Sequence, residues 1–361
     1  MVRYRRRRDH PSLHLPDQRN LQDRYQQMMT PTNHELLVGE RIDQLMSLEM
    51  RPLRGKGLPS GYVSQLYRIC REHHGEPLAM LAAKKLAGVL SPGKVVVIAT
   101  GAGIAPNLPY GETDGPPGAL ALARALAEGF DCHVLIATEH DHLPPVEACR
   151  NVIQSQLTGR GSISGVSFAK GKAEGMKMCE SIFSDLNPVS IIFVERDGPN
   201  AEGIFHGVRG DFRTPDQVGH LYLLADMAHQ KQVLTIGIGD GGNEVGFGAV
   251  REQVALAHPY GAKSHGEFPS GVITVTSTDV VVAASVSNWG AYAVTAALAW
   301  LLKRLDLTHI PECEKALIAA CVAAGARDGA TSLQEEAVDG IDLETHMAFT
   351  RMLGSIISIS L

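Results

Sequence analysis

The chain has 361 residues, 44% hydrophobic and 20% charged, which is ordinary globular composition with length for one large domain or two modest ones. Its net charge of −6 argues against nucleic acid as the main partner, because phosphate binding needs a surplus of Lys and Arg on one face. No apolar run approaches the roughly 20 residues of a membrane span, and the six cysteines (Cys70, Cys132, Cys149, Cys179, Cys313, Cys321) form no CxxC pair, so they read as buried free thiols in a reducing, cytoplasmic setting.

The opening MVRYRRRRDHP is rich in arginine, which would suit a transit peptide and a mitochondrial matrix location, but Asp9, Pro11 and Pro16 interrupt an amphipathic helix there. Residues 1–34 therefore read as a disordered basic tail. Residues 35–361 read as one domain, since no internal repeat or linker rich in Pro, Gly or Ser divides them. Helical patterns occupy 62–72 and 77–90, the second stopped by Ser91, Pro92 and Gly93. From Lys94 onward, short β-branched runs alternate with helical patterns. Strands are expected at 95–100, 132–138, 189–195, 233–238 and 272–276, with a short neighbour at 279–284 and a weaker candidate at 165–168. A helix over 119–128 follows Pro117, and helices at 289–305 and 312–324 close the chain. The alternation predicts an α/β fold: a mostly parallel sheet with helices on both faces and the active site at the C-terminal ends of the strands. The alanine-rich helices near the end suit either the core or a homo-oligomer contact.

Two glycine-framed acidic loops stand out. GETDGPPG (111–118) holds Glu112, Thr113 and Asp114 on a backbone stiffened by prolines. One of Asp114 and Thr113 can be explained as an N-cap of the next helix, but capping does not explain Glu112. GIGDGGNEVGFG (237–248) carries Asp240, Asn243 and Glu244. Gly237, Gly239 and Gly242 match GxGxxG after a strand, yet Asp240 lies where a pyrophosphate would approach, and no acid stands out about 20 residues later to hold a ribose. Two carboxylates and an amide oxygen suit a hard cation such as Mg²⁺ or Mn²⁺. Between the loops, VERDGPNAEGIFHGVRG (194–210) places Glu195 at a strand end and offers Arg209 as a carboxylate clamp. Asn288 opens a helix, where capping is its commoner role. The EHDH run at 139–142 lacks HExxH spacing and reads as a loop.

These motifs, with GEPLAMLAAKKL (75–86), IATG (98–101), SNWGAYAVTAALAWL (287–301) and AGARDGATSL (324–333), resemble the D-glutamate cyclase-like C-terminal domain family over nearly the whole chain. Departures are Asp197 where proline is usual, Phe247 where methionine is usual, and a longer loop at 263–271. The resemblance implies a lyase that converts D-glutamate to 5-oxo-D-proline and water, and suggests a divalent-metal site. On that basis a cation is expected on Glu112, Asp114, Asp240 and Glu244. Asp240 then belongs to the catalytic group, Glu195 or Glu244 is the base, and Arg209, Asn288, Asn243 and Thr113 bind substrate. The rivals are a metal-dependent phosphatase or phosphoryl-transfer site, since paired acidic loops serve that chemistry too, and a non-catalytic small-molecule sensor.

Overall fold

The computed structural model describes residues 31–50 and 58–361, so most of the segment read as a basic tail lies outside the described residues. Six parallel strands form the central sheet: β1 (Val95–Thr100), β2 (His133–Glu139), β3 (Ser162–Phe168), β4 (Ser190–Val194), β7 (Leu234–Gly239) and β8 (Val280–Ala283), in the order β3-β2-β1-β4-β7-β8. Two-residue ribbons, β5 (Phe205–His206) with β6 (Phe212–Arg213) and β9 (Ala337–Val338) with β10 (Ile341–Asp342), sit outside it. The sheet is doubly wound from β1, with its switch point between β1 and β4, where α/β sheets open a crevice beyond their strand ends.

Side chains alternate across the strands and so feed two cores. Val96, Ile98, Ile192, Val194, Ile236 and Ile238 pack into the larger one, under α1 (Pro31–Met46), α2 (Tyr62–His74), α3 (Leu78–Val89), α4 (Pro116–Phe130), α5 (Leu143–Gln154), α8 (Arg251–Ala257), α9 (Ser287–Leu301), α10 (Pro311–Ala323) and α11 (Leu343–Ser358). Val97, Ala99, Ile191 and Phe193 pack into the other, covered by α6 (Lys172–Leu186) and α7 (Leu223–Lys231). The alanine-rich α9 is buried from Ser287 to Ala299, so its apolar surface faces this chain's own core, as expected of a helix apolar all round.

The run 272–276 is not a strand of the sheet. Val272, Ile273 and Thr274 are buried, but their backbone amides bond to loops instead: Val272 N–H to Tyr260 O, Thr274 N–H to Gly242 O and Val275 N–H to Pro199 O. A β-branched run reports burial in extended backbone, and that burial is satisfied here beneath the second acidic loop.

Candidate active site

Loops from three strand ends meet beyond the switch point. β1 leads through a long loop to Asp114, β4 ends immediately before Glu195, and β7 runs into Asp240. One oxygen from each of Asp114, Glu195 and Asp240 lies within 4.8 Å of the others, and all three residues are buried. This all-carboxylate group is able to hold a metal ion. Glu195 stands at φ 46°, a left-handed conformation that a non-glycine residue keeps only when its surroundings impose it. Its amide donates to Ile238 O at 3.1 Å, and Ser287 Oγ donates to its Oε2 at 2.5 Å.

Asp114 and Asn288 exchange capping roles. The Asp114 carboxylate accepts from the amides of Ser287 (2.9 Å) and Asn288 (2.8 Å) and so caps α9 rather than the helix that follows it. Asn288 Oδ1 accepts from the amides of Gly115 (3.0 Å) and Gly118 (2.7 Å), capping α4, while its Nδ2 donates to Thr113 O. Gly118 is required at this crossing, because a Cβ there would stand 2.7 Å from Asn288 Oδ1. Two helix N-termini, each the positive end of a helix dipole, thus point at the acids. Thr113 is spent internally as well, its Oγ1 donating to Ala337 O at 2.7 Å.

Glu244 is turned away from the triad. Its carboxylate accepts from the amides of Asp240, Gly241 and Gly242, which closes the second loop on itself. The glycine pattern of that loop has the same origin: a Cβ on Gly237 would meet Val245 O at 2.2 Å, because the loop folds back over its own strand. The GxGxxG match therefore reflects self-packing, and it follows β7 rather than β1, where a dinucleotide fingerprint belongs. Glu112 also stands outside the triad. It faces a loop from the C-terminal part of the chain, where a Cβ on Gly329 would lie 2.1 Å from Glu112 Oε2 and 3.3 Å from Asp339 Oδ1. Asp339, at φ 55° in the β9–β10 turn, is an acid of this cluster that the sequence pattern did not single out.

Burial pushes the Glu195 carboxyl well above the usual range, and the charges of Asp240, Glu244 and Asp114 push it further. Burial also raises Asp114, with Asp339 adding to the rise and its three backbone amides opposing it. Glu112 is raised by burial, then by Asp339 and Asp114, with Arg213 acting against them. Carboxylates gathered this closely repel one another, and a hard cation relieves that repulsion, so the donor set fits such an ion.

The cations are held by carboxylates. Arg196 pairs with Glu139 and donates to Gly101 O and Gly219 O, tying the ends of β1, β2 and β4 together. Arg213 pairs with Asp197, whose other oxygen accepts from Asn243 Nδ2 at 2.8 Å. Asn243 Oδ1 is buried without a hydrogen-bond partner. Arg209 sits half-buried at the rim and donates to the carbonyls of Ala330 (3.3 Å) and Gly329 (3.4 Å). In the EHDH run, Glu139 serves Arg196, and His142 is buried beside that pair, its pKa lowered to about 4 first by burial.

A family model described as D-glutamate cyclase-like, C-terminal, matches residues 70–354, which contain every strand of the sheet and every acid named above. The chain belongs to that family. It is also 28% identical, over 221 residues, to human "D-glutamate cyclase, mitochondrial", a match covering 58% of this chain and 33% of that protein. The chain thus matches about a third of the length of this relative. Among the described residues no helix is long and apolar enough to cross a membrane.

Proposed function

We propose that this chain is a lyase that closes D-glutamate to 5-oxo-D-proline and water, at a site where Asp114, Glu195 and Asp240 hold a divalent cation, Mg²⁺ or Mn²⁺. The observation that carries this reading is the buried three-carboxylate cluster at the switch point, in a chain of this family.

The reaction joins the amine nitrogen to the γ-carbon. Of the three ammonium protons one stays on the lactam nitrogen, and two leave with one γ-carboxyl oxygen as water. A bound cation supplies charge neutralisation and makes the γ-carboxyl electrophilic. Glu195, its Oε2 fixed by Ser287, relays the two released ammonium protons in turn to the departing oxygen. The unpartnered Asn243 Oδ1 is an acceptor suited to the ammonium group. The near-complete burial of the acids keeps bulk water away from a step that releases water, and it holds amine and γ-carbon close, as ring closure requires.

The test is formation of 5-oxo-D-proline from D-glutamate with and without EDTA, beside a generic phosphate monoester. Product from D-glutamate that disappears on chelation and returns with Mg²⁺ or Mn²⁺ is the expected result. Turnover of the phosphate ester alone would replace this reading with phosphoryl transfer.

A further inference from the structure

Arg213 faces the acidic cluster without being consumed by it. It is 9% exposed, and its charge acts on Glu112 and Glu195. Its one ion pair, Nη1 to Asp197, uses the end of the guanidinium. The side-on edge, Nε with Nη2, lies outside that pair, and Nε is buried with no hydrogen-bond partner. A buried guanidinium edge whose two donors are not taken up by the protein points to an acceptor that arrives with a ligand. The side-on edge of a guanidinium presents two parallel N–H groups, which match the two oxygens of a carboxylate. The neighbouring guanidinium, Arg196, shares a buried Nε without a partner but commits both terminal nitrogens to Gly101, Glu139 and Gly219, so the feature peculiar to Arg213 is an Nη2 left over beside that Nε.

We propose that the Nε–Nη2 edge of Arg213 is a carboxylate-binding subsite that takes the α-carboxylate of the amino-acid substrate, with Asp197 as its positioning residue. The inference rests on the D-glutamate reading and deepens it. The α-carboxylate then lies on the guanidinium, the ammonium group meets the acids, and the γ-carboxylate meets the divalent ion that those acids would hold. Asp197 is in turn oriented by Asn243 of the second acidic loop, so the loop that supplies Asp240 also sets the guanidinium.

The test compares D-glutamate with 4-aminobutyrate, which has the same amine and reacting carboxyl but no α-carboxylate, on the full chain loaded with Mn²⁺. Arg213→Lys keeps the charge and loses the fork. Arg213→Gln with Asp197→Asn removes both charges, so that no carboxylate is left buried and unpaired, and circular dichroism melts confirm that each variant is folded. The expected result is a KM for D-glutamate raised on the order of 100-fold in both, the size of a lost charged hydrogen-bond pair, with kcat changed only a few-fold. Handling of 4-aminobutyrate stays as in the unaltered chain. Folded variants that keep the D-glutamate KM, or that lose both compounds equally, overturn the subsite. An unaltered chain that neither binds nor converts D-glutamate overturns the cyclase reading and the subsite with it, a failure visible before any variant is made.

Discussion

Asp114 answers to two demands, since it accepts the first two amides of α9 and also stands in the carboxylate triad. Asp114→Ala removes the acceptor of both α9 amides, so it lowers stability by about 1–2 kcal/mol, as the loss of a cap does, and also weakens Mn²⁺. Asp240→Asn weakens Mn²⁺ by at least about tenfold with a smaller shift in melting temperature. Titration calorimetry beside thermal melts separates the two, and equal destabilisation by both would count against the capping role. Gly329→Ala drives a methyl group into Glu112 Oε2. It should cost about 1–3 kcal/mol by overpacking and reduce turnover, read by melting and by lactam formation. Asp114 and Asp240 were legible because strand-end loops rich in glycine concentrate binding residues. The same composition drew attention to Glu112 and Glu244, whose directions depend on backbone torsions that composition does not encode. Glu244 curls into its own amides, and Glu112 turns toward Asp339. Asp339 and Arg213 sit on two-residue ribbons, too short for any periodic signal.

At the scale of elements, strands β1, β2, β4, β7 and β8 were readable from their β-branched runs, with ends displaced by a residue or so. The run at 272–276 misled because extended, buried backbone pairs equally well with loops. The helix α11 carried no signal strong enough to be anticipated, yet its His346 accepts from Trp289 Nε1 at 2.9 Å and so anchors the first turn of α9. Beside it, His309 at the start of α10 lies 2.8 Å from Glu314, which also accepts from Tyr292 Oη at 2.6 Å. Burial opposes charge on His309, but the Cys313 thiol and the Glu314 carboxylate outweigh it and raise the pKa to about 9. A raised histidine pKa contributes stability that is fully present below about 6.5 and is lost as pH rises through about 9. Melting temperature should therefore fall across that window. Glu314→Gln, which leaves the histidine without its charged partner, should flatten the slope and lower stability by about 3–5 kcal/mol. A slope unchanged in that variant would assign the pH dependence to other groups.

Over the whole molecule, the larger core joins helices from both ends of the described chain to one face of the sheet, so the acids are held by parts that unfold together. A cation that binds only the folded state stabilises it by mass action, about 2.7 kcal/mol at 100 times its Kd, so Mn²⁺ should raise the melting temperature in a concentration-dependent way. Asp240→Asn should move that rise to at least about tenfold higher Mn²⁺. The parallel sheet was legible from the alternation of strands and helices. Asp114 and Asp240 were expected on one cation from the resemblance, but Glu195 as the third member of their group was not, because its place depends on strand order, which lies in the packing rather than in any local pattern. The crossed caps carry a consequence for synthesis on the ribosome. Asp114 and Asn288 are 174 positions apart, and each caps the N-terminus of the helix that the other opens. A nascent chain that has emerged only through the second acidic loop has all three acids but no α9 to receive Asp114, so its α4 starts uncapped. The three acids are therefore held in place only late in translation, when residues 287 and 288 dock.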